Sequence, residues 1–360
     1  MLWKNNWEET QRHFIKWWNR EGLVVGKWGA FDTGRTVHEN VAPPAPPPNL
    51  TARYCDAAYR AAENHHRLSR SIFPLDILPV ACADLGPGSL ATLLGSEPGF
   101  AEHTVWFNPA FEDCAEPEHL PPLRFDANNQ WWRVTEALLR ACVDRARGCY
   151  FVAAPDLICN MDILSSLRGA QTLCMDMLER PEWIEQKIRE INAVWFEAYR
   201  RTYDIIRQPD GSSAYGAFYI WGPGKVSMVQ CDASAMFSAE MFRRFVVPAL
   251  TEQCAWLDHT LYHLDGTQAL QHLDALLEIE PLDALEWTPQ AGIETGGNAR
   301  WHDLYRRVLA AGKSVQVVEV RPAEIVPLLD AIGNRGVYLQ VKYQTERELE
   351  EVARMVEPYY

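Results

Sequence analysis

His263 and Asp265 stand two residues apart in the run YHLDG. In an extended strand alternate side chains point to the same side, so both reach one face. Imidazole and carboxylate together bind zinc, or the acid orients the imidazole for proton transfer. Glu286, in the following apolar run ALEW, offers a third metal ligand. A simpler reading makes Asp265–Gly266 a turn in which Asp265 caps the next helix.

Other polar residues end apolar runs in the same way: Asp84, Asp156, the triplet Gln230, Cys231 and Asp232, then Glu319, and finally Lys342 and Tyr343. Asp84 and Asp232 are candidate acid–base groups beside His263 and Asp265. Glu319, Lys342 and Tyr343 are candidate substrate contacts, Lys342 through a substrate anion, although Glu319 also has Arg321 within reach as an ion-pair partner. Cys231 reads as a packing residue more readily than as a reactive thiol. Trp221 and Trp287, with Trp106, Trp131 and Trp132, fall near strand ends or loops, where indole faces attract methylated ammonium groups. Each taken singly is better explained by core or interface packing.

Residues at strand ends do chemistry only if the strands are gathered. Short apolar runs suited to buried parallel strands occur at 77–83, 103–107, 149–154, 226–230, 260–263, 284–287, 314–318 and 337–341. Amphipathic stretches alternate with them, clearest at 238–257, 267–277, 301–311, 322–331 and 346–356, several ended by glycine. Eight such units predict an α/β fold, a TIM (β/α)8 barrel, whose active sites lie at the C-terminal ends of the strands. An open doubly wound sheet would call for a glycine-rich phosphate loop, and neither GxGxxG nor GxxxxGK[ST] is present. Residues 5–20 and 51–70 read as helices, joined by a stretch with five prolines between Val41 and Leu50 that fits a stiff surface connector. The expected organisation is therefore an N-terminal helical extension over 1–74, packed on a barrel over 75–360.

Composition removes several function classes. The 360 residues carry 34 basic and 48 acidic side chains, a net charge of −14, which disfavours nucleic acid as a partner. No apolar run reaches the ~18 residues a membrane helix needs, and the N-terminal stretch has no apolar signal-peptide centre. Nine scattered cysteines without a CxxC pair suit a reducing, cytoplasmic setting. Fourteen tryptophans exceed what a core of this size needs, and suggest an aromatic barrel mouth.

The stretches QCDASAMFSAEMFRRFVVPAL (230–250) and LYHLDGTQALQHLDALLEIEPLDALEWTPQAG (261–292) resemble the uroporphyrinogen decarboxylase superfamily, as does 154–182, with the likeness covering roughly 75–357. The resemblance implies a TIM barrel and one of two activities. Its decarboxylases carry an R-Q-A-G-R motif, of which only Thr33, Gly34 and Arg35 are reminiscent here. A cofactor-free decarboxylase or lyase on another substrate would then use Asp84, Asp232 and Arg35. Its corrinoid-linked methyltransferases bind zinc through an H-x-C pair and a late cysteine. Here His263 matches, Asp265 replaces the cysteine, and Val341, Lys342 or Tyr343 stands at the late position. Glu286 falls where a related methionine synthase has a glutamate ligand. The resemblance thus implies an oxygen-rich set, His263, Asp265 and Glu286, for zinc or a harder divalent metal. The implied reaction moves a methyl group between a small methylated compound, of methylamine or betaine type, and a separate corrinoid protein; no corrinoid-binding DxHxxG motif occurs in the chain itself. A third expectation is a non-catalytic barrel that binds a small molecule. The sequence leaves monomer and homodimer both open.

Overall fold

The computed structural model describes all residues 1–360. The apolar runs of the second half pair in sequence order into one parallel sheet: Val226–Gln230, His259–Asp265, Ala284–Thr288, Ser314–Val320 and Val337–Val341. The sixth strand, Leu23–Gly26, lies beside Val337–Val341. It comes from the segment expected to be a helical extension. Four residues, LVVG, were too short a run to stand out between two helices.

Two further short strands, Val80–Ala81 and Phe151–Val152, pair in parallel, and Ala154 bridges in parallel to Tyr215. The peptide N–H of Asp76 donates to the Val25 carbonyl at 2.8 Å, which ties this pair to the main sheet. The other side is joined through Ser213, whose Oγ donates to the Gly224 carbonyl at 2.7 Å. Single bonds take the place of ladders at these joints. The molecule is thus a mixed α/β fold with a six-stranded parallel sheet, compatible with a TIM-barrel-like arrangement, and its strands do not pair into a closed ring. The run expected at 103–107 is a correction. Val105–Asn108 pairs with Glu97–Phe100 in a separate antiparallel hairpin, since the intervening turn lets the two segments satisfy each other locally.

The concave face of the sheet is polar along one row. Gln230, His263, Glu286, Gln316 and Tyr338 are side-by-side partners on five neighbouring strands. Buried polar groups must find partners. Gln316 and Tyr338 find theirs in the turn of an inserted hairpin, Ser213–Tyr215 with Ile220–Gly222. The Nε2 groups of Gln316 and Gln340 both donate to the Phe218 carbonyl at 2.8 Å, and the Tyr338 hydroxyl donates to the Tyr219 carbonyl at 2.9 Å. The hairpin turn therefore fills the space in front of the sheet.

The opposite, strand-start end is sealed by aromatics. Helix Trp7–Trp18 buries Phe14, Trp17 and Trp18 there. Trp17 Nε1 donates to the Val315 carbonyl, Trp18 Nε1 to the Trp221 carbonyl, and Trp18 stacks on His259 at 4.7 Å. The tryptophan surplus thus lies mainly at the closed end and in the core, a correction to the aromatic mouth. No helix is long and apolar enough to cross a membrane.

Gly216 is the tight point of the hairpin. A Cβ there would lie 2.6 Å from Cys82 Sγ and 2.8 Å from Ala153 Cβ. Gly216→Ala is expected to lower stability by about 1–3 kcal/mol through overpacking, read as a lower urea midpoint at unchanged slope. Adding Cys82→Ala should recover part of the loss. A neutral Gly216→Ala would show that the hairpin does not fill the interior.

Candidate active site

The polar row ends at the C-terminal mouth of the sheet, where three donors converge. Asp232, His263 and Asp265 each present a ligand atom within 4.8 Å of the others. Asp232 is one of the expected acid–base residues, and it stands with His263 and Asp265 in the cluster where Glu286 was expected. Glu286 lies behind the histidine, completely buried. His263 Nδ1 donates to Glu286 Oε2 at 2.5 Å, and Thr288 Oγ1 donates to Glu286 Oε1 at 2.7 Å. Both carboxylate oxygens are thereby occupied, and His263 Nε2 is left for the cluster. A carboxylate behind a ligating imidazole fixes its tautomer and raises its basicity.

Backbone contacts hold Asp232 in place. Asp162, in the first turn of helix Asn160–Arg168, accepts from the peptide N–H groups of Asp232 at 2.9 Å and Ala233 at 2.8 Å. Gln230 Nε2 donates to Asp232 Oδ2 at 2.8 Å. Asp265 makes no side-chain hydrogen bond, so it does not cap the turn, which Gly266 makes with a positive φ of 77°. The Phe218 ring lies 4.8 Å from the His263 ring and covers one of its faces.

Acids outnumber bases sharply here. Asp156, Asp162, Asp232, Asp265 and Glu286 surround one imidazole, and none of them pairs with a lysine or arginine. Burial works against a charged His263, but the Glu286 charge and hydrogen bond, then Asp232 and Asp265, outweigh it and raise its pKa to about 9. Desolvation, then the Asp162 charge, lifts Asp232 to about 7. Burial, reinforced by Asp84, lifts Asp156 to about 6. Such a cluster holds either protons or a cation.

The remaining expected residues divide into two groups. Glu319, Lys342 and Tyr343 line a cleft of about 890 Å³ beside the triad, together with Lys27, Trp28 and Thr288. Glu319 sits at a register shift of its strand with a φ of 59°, and pairs with Lys342 at 2.6 Å. Arg321 pairs instead with Glu324. Trp221 and Trp287 do not reach the mouth, which corrects their assignment as substrate contacts. Trp221 is 2% exposed and meets Trp7 edge-on at the closed end. Trp287 alternates with the inward Glu286, so it points outward, fully buried against Trp301 at 5.0 Å. Asp84 is not part of the triad; its Oδ1 accepts from the Gly86 N–H at 3.1 Å and shapes its own turn. Arg35 lies on the surface, paired with Glu346 at 2.8 Å. Cys231 is buried, and burial followed by the charges of Asp162 and Asp232 pushes its thiol well up, against thiolate ligation.

Asp162, Thr288, Phe218, Lys27 and Trp28 were not singled out from the sequence. Asp162 looks like an ordinary first-turn helix acid. Only Trp28, an indole directly after an apolar run, carried a usable signal.

A methyltransferase from Methanosarcina mazei shares this fold along nearly its whole length. The match covers 96% of this chain and 97% of that chain, with a TM-score of 0.60 and 12% sequence identity. At that identity the likeness is one of fold. No family model and no curated protein matches the chain.

Asp156 offers a direct reading of the electrostatics. Its folded pKa lies above the model-peptide value, so the folded state holds the proton more tightly, and its contribution to stability falls as pH rises from 3.8 through about 6. Asp156→Asn cannot ionise. Its unfolding free energy relative to the parent, from urea titrations, is expected to rise between pH 4 and pH 7 by on the order of 2–3 kcal/mol. A pH-independent difference would remove the case for a desolvated Asp156.

Proposed function

We propose that this chain is a methyltransferase-type enzyme whose reacting centre is Asp232, His263 and Asp265. In its fuller form, the enzyme moves a methyl group between a small methylated compound and a separate corrinoid protein. The observation that carries this reading is the convergence of the three donors at the strand ends, with Glu286 behind His263, in a fold shared with a methyltransferase.

The donor set fits a divalent cation. Two carboxylates and an imidazole lie close together, the imidazole is pre-oriented, and the surrounding acids pair with no lysine or arginine. With one nitrogen, two oxygens and no thiolate, the set suits zinc or a harder ion. When bound, the ion supplies Lewis acidity toward the donor or acceptor atom of the methyl transfer.

The chain's own residues do the rest. Glu286 keeps Nε2 as the free nitrogen of His263. Thr288 keeps Glu286 from rotating. Asp162 holds the backbone that delivers Asp232, and Phe218 shields the imidazole from water on one side. The adjacent cleft provides room for a small molecule next to the triad.

Purified protein is expected to retain about one divalent ion per chain under metal-supplemented dialysis, and His263→Ala to lose it. Glu286→Gln should keep the fold and weaken metal affinity roughly 10–100-fold. Methyl transfer from methylamine or glycine betaine to free cob(I)alamin should depend on His263. Full activity in metal-free protein would sink the metal reading. Ligand binding with no turnover on any methyl donor would favour a binding protein over an enzyme.

A further inference from the structure

The cleft next to the triad has one unmatched charge. Its other ionised lining groups are spoken for. Glu319 pairs with Lys342 at 2.6 Å, Glu294 pairs with Arg300 at 2.8 Å, and Glu348 accepts from the peptide N–H groups of Gln344 and Thr345 at the start of the last helix. Lys27 makes no hydrogen bond and no ion pair. It is half-buried, its Nζ 5.3 Å from the centre of the Tyr343 ring, and burial together with the Lys342 charge lowers its pKa. Elsewhere the protein equips its buried lysines with acceptors. Lys4 donates to two carbonyls, Lys313 to two carbonyls, and Lys187 to Glu190. Lys27 alone faces a cavity without one.

Its neighbour supplies the second half of a recognition site. Trp28 is 51% exposed on the cleft wall, in a molecule that buries most of its other tryptophans. The back of its indole is held edge-on by Phe218 at 5.4 Å, and Phe218 in turn lies on His263. Thr288, which lines the same cleft, bonds the Glu286 that orients His263. The unmatched cation, the open indole and the reacting centre are thus joined through a single layer of side chains.

We propose that Lys27 binds an oxyanion of the substrate, a carboxylate or a phosphate, while Trp28 carries its apolar or methylated part, so that the substrate class is a small molecule that bears an oxyanion. This rests on the triad as the reacting centre, but its test does not. A compact ammonium is a good point-charge partner for either oxyanion. Desolvation in the cleft strengthens the pairing relative to an exposed lysine. The indole face adds dispersion and, for a methylated ammonium, cation–π attraction. Lys342 cannot take this role without giving up Glu319.

The test is a titration of the full chain with acetate, inorganic phosphate, glycine betaine and tetramethylammonium at constant ionic strength. The Trp28 indole N–H resonance, identified by its loss in Trp28→Phe, reports binding. Acetate or phosphate is expected to shift it saturably, and whichever binds more tightly names the oxyanion. Lys27→Met should weaken that binding about tenfold or more, and Lys27→Arg should retain most of it, as expected for a partly desolvated charge pair. Tetramethylammonium binding should not weaken in Lys27→Met, since that substitution removes a repelling charge. The titration is repeated on His263→Ala. Anion binding that persists there, with metal lost, keeps the cleft assignment apart from the metal. Equal anion affinity in the parent and Lys27→Met, or no saturable shift with either anion, overturns the proposal.

Discussion

A carboxylate with no lysine or arginine beside it, buried in the middle of a parallel sheet and its charge answered only by His263, is the constraint on which the candidate site depends. Glu286 is wholly enclosed, and its two partners are His263 and Thr288. A buried charge left unpaired costs several kcal/mol, so His263 is held against Glu286 in one orientation. That orientation directs the other ring nitrogen to the mouth, where Asp232 and Asp265 stand. The polar row from Gln230 to Tyr338 extends the same requirement across five strands. Where side chains on the row run out of each other, the hairpin turn at Phe218 and Tyr219 provides backbone carbonyls.

The two ends of the sheet therefore do different work. At the strand starts, tryptophans of the N-terminal helix close the structure with apolar area and donate indole N–H groups to strand and hairpin carbonyls. At the strand ends, five acids collect around a single imidazole with no lysine or arginine among them. Conformational order is provided where no chemistry is needed, and unmatched charge is concentrated where a ligand arrives. This is the division expected of barrel-like α/β folds. The hairpin links the two ends, since Trp221 anchors its base among the aromatics while Phe218 covers the imidazole at the other.

The cleft repeats the same logic on a smaller scale. Glu319 is held in a left-handed conformation at a register shift, a placement that costs on the order of 1–3 kcal/mol. It engages Lys342 and leaves Lys27 unmatched beside an open indole. One unmatched lysine in a cleft whose glutamates are all engaged is not suggested by a net charge of −14.

Much of this was legible in the chain itself. Apolar runs of four to seven residues alternating with amphipathic stretches determined the parallel strands of the second half, because buried parallel strands tolerate little else. The two-residue spacing of His263 and Asp265 determined that both would share a face, since strand periodicity is geometric. Tertiary structure decided the rest. Whether Glu286 ligates or orients depends on the lateral register of two strands, and that register is set by packing over the whole sheet. Asp232 joins the cluster only because Asp162, seventy residues earlier in the chain, holds its backbone. Leu23–Gly26 becomes a sheet strand only because Val337–Val341 offers an edge to pair with. Trp221 and Trp287 lie near strand ends in sequence yet are buried in space, because the direction of one side chain is decided by everything packed around it.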